Sequence, residues 1–352
     1  MNPKDHGQFD LFVPFMADLA LRDQREIMER PFFSLAKRKR LKPIAYVSPD
    51  FSVYVNVLPH QDFGMATIWD ADVLIWAGST INAMRKKGLN DIPRTLQFQP
   101  YDLLTTIGRG LGGREYKLLR DTLDRLQSTV VKTNIRVKRG KKERTFSWVE
   151  SWTDLIDPDT GQSKGMSLTL SDWFYEGILI DGGMLSIDPA YFAITGGRER
   201  WLYRVARKHA GGVGPEGFAI SLPTLFEKSG AEGTYRRFKF EMLQLAHRDT
   251  LPGFSLAIEV GKGEPALHMT RRVTDAPEKR AWTAGTALAG RTTWQLSDKT
   301  IMRIRRDFPR QDVYALKADF DTWIAKEGGH PPADYQTAFY EFVRGLRARA
   351  SS

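Results

Sequence analysis

Residues Tyr101–Leu126 read YDLLTTIGRGLGGREYKLLRDTLDRL, and residues Leu222–Leu245 read LPTLFEKSGAEGTYRRFKFEMLQL. Sliding the chain by 119 residues places Leu103 on Leu222, Ile107 on Phe226, Tyr116 on Tyr235, Leu119 on Phe238, Leu123 on Met242 and Leu126 on Leu245. In each stretch a short apolar segment is followed by a glycine-containing turn (Gly108 to Gly113, Ser229 to Gly233). A longer helix then follows, its apolar residues three or four apart and its other face basic. That is the order of a helix–turn–helix, the second helix being the one that enters a DNA groove.

The flanking sequence extends each unit. Upstream of the first, Asp70 is placed to cap a helix carrying Val73, Leu74, Ala77, Ile81 and Met84, and Thr95–Phe98 reads as a short strand before Pro100. Downstream, Thr129–Val137, a turn at Arg139–Lys142 and Arg144–Ile156 read as the two-stranded wing of a winged helix. The second unit is preceded by an amphipathic helix over Arg198–Ala210 and followed by a wing at Phe254–Val260 and Ala266–Thr270. Tyr46–Val57 reads as a hairpin, preceded by the basic run Lys37-Arg38-Lys39-Arg40 and Lys42. The expected fold is therefore α+β: two winged-helix domains in tandem with a small C-terminal helical unit. The expected divisions are 1–171, 172–275, an Ala/Gly/Thr-rich linker over 276–296, and 297–352.

Charge points to the partner. The 52 Lys+Arg against 42 Asp+Glu give a net charge of +10, which favours a polyanion. On the first recognition-type helix, steps of 100° put Arg114, Lys117, Asp121 and Arg125 opposite the apolar stripe, with Arg120 at the border. Arg114 and Lys117 lie at the helix start, where base edges are read. Lys132, Arg136, Lys138, Arg139, Lys141, Lys142 and Arg144 crowd the hairpin that follows, opposed only by Glu143, and suit phosphate or minor-groove contact. On the second helix Arg236, Arg237, Lys239, Phe240, Gln244 and His247 are the candidates. Gln pairs with adenine, and an outward Phe lies against a thymine methyl, although burial of Phe240 under another domain is the plainer reading. The plain alternative for the first of these helices is a solvated basic face.

Other chemistries lack a foothold. There is no cysteine, which removes disulfides and thiolate metal sites and fits a reducing cytoplasm. The 6 histidines are scattered, so no metal or other cofactor is expected. Gly108-Arg-Gly110-Leu-Gly-Gly113 and Gly212-Val-Gly214-Pro-Glu-Gly217 match a dinucleotide fingerprint, but each follows a helix where a strand is required. Gly285–Thr292 resembles a phosphate loop with Arg in the Lys position and reads as linker. No apolar run nears the roughly 18 residues of a membrane span, and the N-terminus does not read as a secretory signal. The expectation is a cytoplasmic protein without enzymatic activity.

The chain resembles the replication initiator protein A family of proteobacterial plasmids. The strings that carry the resemblance are Glu29-Arg-Pro-Phe-Phe-Ser-Leu35, Gln97-Phe-Gln-Pro-Tyr-Asp-Leu-Leu104, Gly113-Arg-Glu-Tyr116, Leu123-Asp-Arg-Leu126 and Lys132-Thr-Asn-Ile135. Leu168-Thr-Leu-Ser-Asp-Trp173, Glu199-Arg-Trp-Leu-Tyr203 with Arg207-Lys-His209, and Phe308-Pro-Arg-Gln-Asp-Val-Tyr314 extend it over most of the chain. More distantly the layout is similar to tandem winged-helix initiators that bind repeated origin sites, called iterons. The resemblance implies binding to double-stranded DNA at origin repeats, local opening, and recruitment of the host initiator and replicative helicase. It further implies a homodimer through the first winged-helix domain and specific reading by the second. Two rivals stay open on the residues alone: a winged-helix transcriptional repressor, and an adaptor whose basic faces answer acidic proteins.

Overall fold

Both helix–turn–helix units form where the repeat places them. The computed structural model describes residues 19–272 and 296–350, apart from 90, 138–141, 157–162, 261–262, 309–312, 314–315, 318–319, 321–322, 325–331 and 333. The chain runs through β1 (Arg22–Gln24), β2 (Ile44–Val47), β3 (Tyr54–Leu58), α1 (Ala71–Lys86), β4 (Thr95–Phe98), α2 (Pro100–Thr106) and α3 (Gly113–Ser128). Next come β5 (Val130–Thr133), β6 (Arg144–Ser147), β7 (Val149–Ile156), β8 (Ser163–Leu170), α4 (Asp172–Leu179) and β9 (Met184–Ser186). The second half holds α5 (Gly197–His209), β10 (Phe218–Ser221), α6 (Leu222–Ser229), α7 (Tyr235–Arg248), β11 (Phe254–Glu259) and β12 (Ala266–Arg271). The C-terminal part contains α8 (Asp298–Asp307) and α9 (Tyr335–Ala350).

Local chemistry sets the helix ends. Pro100 occupies the first turn of α2, where a missing N–H costs nothing. The Ser221 hydroxyl caps α6 by accepting from the Thr224 N–H, and Gly230 ends that helix in the left-handed region at φ +55°. Thr234 caps α7 by accepting from the Arg237 N–H. Asp249, also left-handed, closes α7 and accepts from the Leu256 N–H at 2.7 Å, steering the chain into β11. Leu103, Ile107, Leu119, Leu123 and Leu126 are buried in the first unit; Leu222, Phe238, Met242 and Leu245 are buried in the second.

The sheets show which hairpin is each wing. β10, β12 and β11 form an antiparallel sheet in that order, and β4, β8 and β7 form one of the same topology. The sequences α1–β4–α2–α3–β7–β8 and α5–β10–α6–α7–β11–β12 are therefore two copies of one winged-helix arrangement. This corrects the expected first wing. The wing is β7–β8, and the basic hairpin β5–β6 is an insertion between α3 and that wing. β5 pairs with β3, placing the hairpin in a separate sheet of order β2-β3-β5-β6. The buried Trp148 sits between β6 and β7, where one continuous strand was expected.

Two cores result, one under each unit. Trp173, Phe174 and Ile178 of α4 belong to the first core, which so extends past the expected break at 171. In return, Leu21, Met28 and Ile75 from the first half belong to the second core. β1 pairs with β9, and buried ion pairs stitch the halves together: Asp23 with Arg204 at 2.6 Å, and Asp72 with Arg200 at 2.7 Å. Burial pushes both carboxyls up, and the facing guanidinium groups offset only part of that.

The chain divides at Ala281, inside the expected linker 276–296, which lies almost wholly outside the described residues. Ser297 caps α8, and Ile304, Phe308, Phe320, Phe339 and Val343 form a third core of their own.

Candidate nucleic-acid interface

On α7 the stripe opposite the core is open. Arg236, Phe240, Gln244 and His247 recur at helical spacing and are all exposed. Phe240 is 61% exposed, so the expected burial under another domain is not what this helix shows. Two other candidates on α7 are engaged within the protein. Arg237 pairs with Glu241 one turn on at 3.1 Å, and Lys239 pairs with Glu264 at 3.0 Å. Glu264 lies in the β11–β12 connection and also accepts from the Tyr235 hydroxyl at 2.8 Å, fixing the wing against the helix start.

The corresponding positions on α3 are Lys117, Asp121, Arg125 and Ser128, with no aromatic or amide side chain among them. Arg114 and Lys117 are exposed, as expected at the helix start. Arg120 is exposed but donates to Asp154 of β7 at 2.9 Å. Arg125 turns away from the expected outward face. Its Nε and Nη2 donate to both oxygens of the buried Asp70, at 2.8 and 2.7 Å. Asp70 stands at the N-cap position of α1, as expected, but makes no capping hydrogen bond; it also accepts from the Thr122 hydroxyl at 2.9 Å and ties α3 to the helix start. With Arg125 so used and Asp121 on the stripe, Lys117 and Arg114 carry what positive charge α3 offers outward.

The basic hairpin divides in the same way. Lys142 is exposed and Lys132 is half-buried on β5. Arg136, left-handed at φ +57°, lies 3.8 Å from the Trp173 ring and pairs with Glu26 at 2.6 Å. Arg144 pairs with Glu176 at 3.3 Å. Lys138, Arg139 and Lys141 lie outside the described residues. Arg136 and Arg144 thus hold α4 and the N-terminal segment against the hairpin.

Two cationic groups were not among the sequence candidates. Arg248 is exposed at the end of α7, and Lys37, Arg38, Lys39 and Lys42 are exposed beside the α6–α7 turn, where Arg38 meets Glu232 at 3.2 Å. The Lys/Arg run was visible in the sequence; its position beside a helix some 190 residues away was not.

Among the described residues no group of three or more His, Asp or Glu side chains is disposed to hold a metal ion, and no helix is long and apolar enough to cross a membrane. Gly108–Gly113 forms the turn between α2 and α3 rather than a nucleotide loop. Gly285–Thr292 lies outside the described residues.

Residues 22–256, more than half of the chain, match the family described as Replication initiator protein A. A protein of Wigglesworthia glossinidia brevipalpis named "Putative replication protein" is 30% identical over 246 residues, covering 69% of this chain and 86% of its own. Among solved structures, two of domains 2 and 3 of RctB align. One does so at a TM-score of 0.49 and 16% identity, over 68% of this chain and 95% of its own. The other does so at 0.45 and 14%, over 70% and 95%.

Proposed function

The chain belongs to the replication initiator protein A family, and from that premise we propose that it initiates plasmid replication by binding repeated duplex sites at an origin. In this reading α7 lies in the major groove and reads bases, while α3 anchors the neighbouring turn through Arg114 and Lys117. The observation that carries it is the open stripe Arg236–Phe240–Gln244–His247, which pairs hydrogen-bonding groups with an exposed aromatic ring. Gln makes bidentate contact with adenine, and an aromatic edge packs on the thymine methyl, so A·T steps suit this face. The matching stripe of α3 lacks such a set, which supports giving the specific reading to the second module. Bound repeats would then favour local opening and recruit the host initiator and replicative helicase. The protein contributes binding energy in the cytoplasm rather than catalysis, and a homodimer forms through the first module.

Competition binding against single-base variants of the site tests the assignment. Gln244→Ala is expected to cost about 1–3 kcal/mol and to relax preference at one position. Equal weakening on every sequence, or no change, would contradict base reading by α7.

A further inference from the structure

A segment of the first module reaches the start of the second module's recognition helix. Arg40 holds it there. Its side chain is buried; Nη1 donates to the Gly230 carbonyl at 2.7 Å and Nε donates to the Lys42 carbonyl at 2.9 Å. Its own carbonyl accepts from the Met65 N–H at 3.1 Å. Gly230 is the residue that ends α6, so the tether grips the turn of the second helix–turn–helix directly. Lys39 is held too: a Cβ on Gly64, at φ +79°, would meet the Lys39 Cγ at 2.8 Å, so the glycine makes room for the lysine stem. Lys37 lies 5.3 Å from the Trp69 ring, and Arg38 meets Glu232, two residues before the Thr234 cap of α7.

We propose that this strap is a phosphate clamp. Arg40 spends its hydrogen bonds on backbone carbonyls, and the exposed Lys37, Arg38, Lys39 and Lys42 are thereby carried on a fixed support beside the N-terminus of α7. A recognition helix presents its N-terminal residues to base edges, so cations flanking that end face the sugar–phosphate backbone bordering the groove. Four exposed cations in six residues, of which Arg38 is matched to Glu232, suit a polyanion and carry no sequence information. The first module thus supplies backbone affinity to the second module's reading, and the ligand is the duplex DNA that α7 enters. The clamp rests on the reading of α7 given above.

The test is the salt dependence of full-length protein binding to the DNA flanking its own gene. Each phosphate contact adds about 0.9 to the slope of log K against log salt. Lys39→Gln with Lys42→Gln is expected to lower that slope by roughly 2 and to leave base preference intact. Lys86→Gln with Lys87→Gln, on exposed positions at the end of α1, removes the same charge outside the strap and is expected to leave the slope unchanged. An unchanged slope in the strap variant, or an equal drop in both, would overturn the clamp alone. A wild-type protein that binds its own flanking DNA no better than random duplex would instead overturn the α7 reading on which the clamp depends.

Discussion

Arg125 and Phe240 moved in opposite directions between sequence and structure, and each did so for a reason that angular periodicity does not carry. Steps of 100° define the apolar face of α3 correctly, but they cannot say that a buried carboxylate from α1 waits at its border. Asp70 supplies that carboxylate, and Arg125 satisfies it through two hydrogen bonds. Phe240 has no such partner, and its ring stays exposed on the stripe where Gln244 and His247 also stand. Phe240→Ala is therefore expected to weaken binding to the preferred site while leaving the thermal midpoint nearly unchanged, since surface substitutions rarely shift stability by more than about 0.5 kcal/mol. Parallel melting and binding curves check this. A midpoint that falls together with affinity would place the ring in a packing role.

The elements that were legible in the sequence are those set by local rules. Both helix–turn–helix units and their buried stripes follow from residues within a few turns of each other, and the second wing follows from its short Gly-containing connection. The first wing did not, because β5–β6 is as good a hairpin as β7–β8 when read alone. Only the pairing of β5 with β3, more than 70 residues earlier in the chain, assigns it to another sheet. Gly230 shows the local rule and the distant contact acting on one residue. It is left-handed at the end of α6, and a Cβ there would come within 2.6 Å of the Pro31 Cβ. Gly230→Ala should thus cost about 1–3 kcal/mol from the backbone conformation, with the Pro31 clash adding to it. Chemical denaturation measures that cost, and a variant as stable as wild type would contradict the close approach.

At the scale of the molecule, residues 19–272 behave as one unit because the modules share charges as well as apolar cores. Glu29 is the densest of these points. It receives Lys208, Lys228 at 2.5 Å and His209 at 2.8 Å, all from the second module. Burial pushes its carboxyl up, but the hydrogen bond from His209 and the two ammonium groups outweigh that and hold it well below its ordinary 4.5. A depressed carboxyl contributes stability that is present above the unfolded value and lost as pH falls below it. Glu29→Gln should accordingly destabilise the protein at neutral pH, with the difference from wild type shrinking as pH drops below about 4.5. Unfolding curves that keep a constant gap across that range would exclude Glu29 as a charged lock. If both helices enter DNA as proposed, a locked pair of winged helices also fixes how far apart the two grooves lie. Hydroxyl-radical footprinting of the full-length protein on the DNA flanking its gene tests it most directly. Direct repeats are expected, each protected in patches about one helical turn, roughly 10 base pairs, apart, with Arg236→Ala removing the patch read by α7. Uniform protection without repeats, or a footprint indifferent to Arg236, would contradict it.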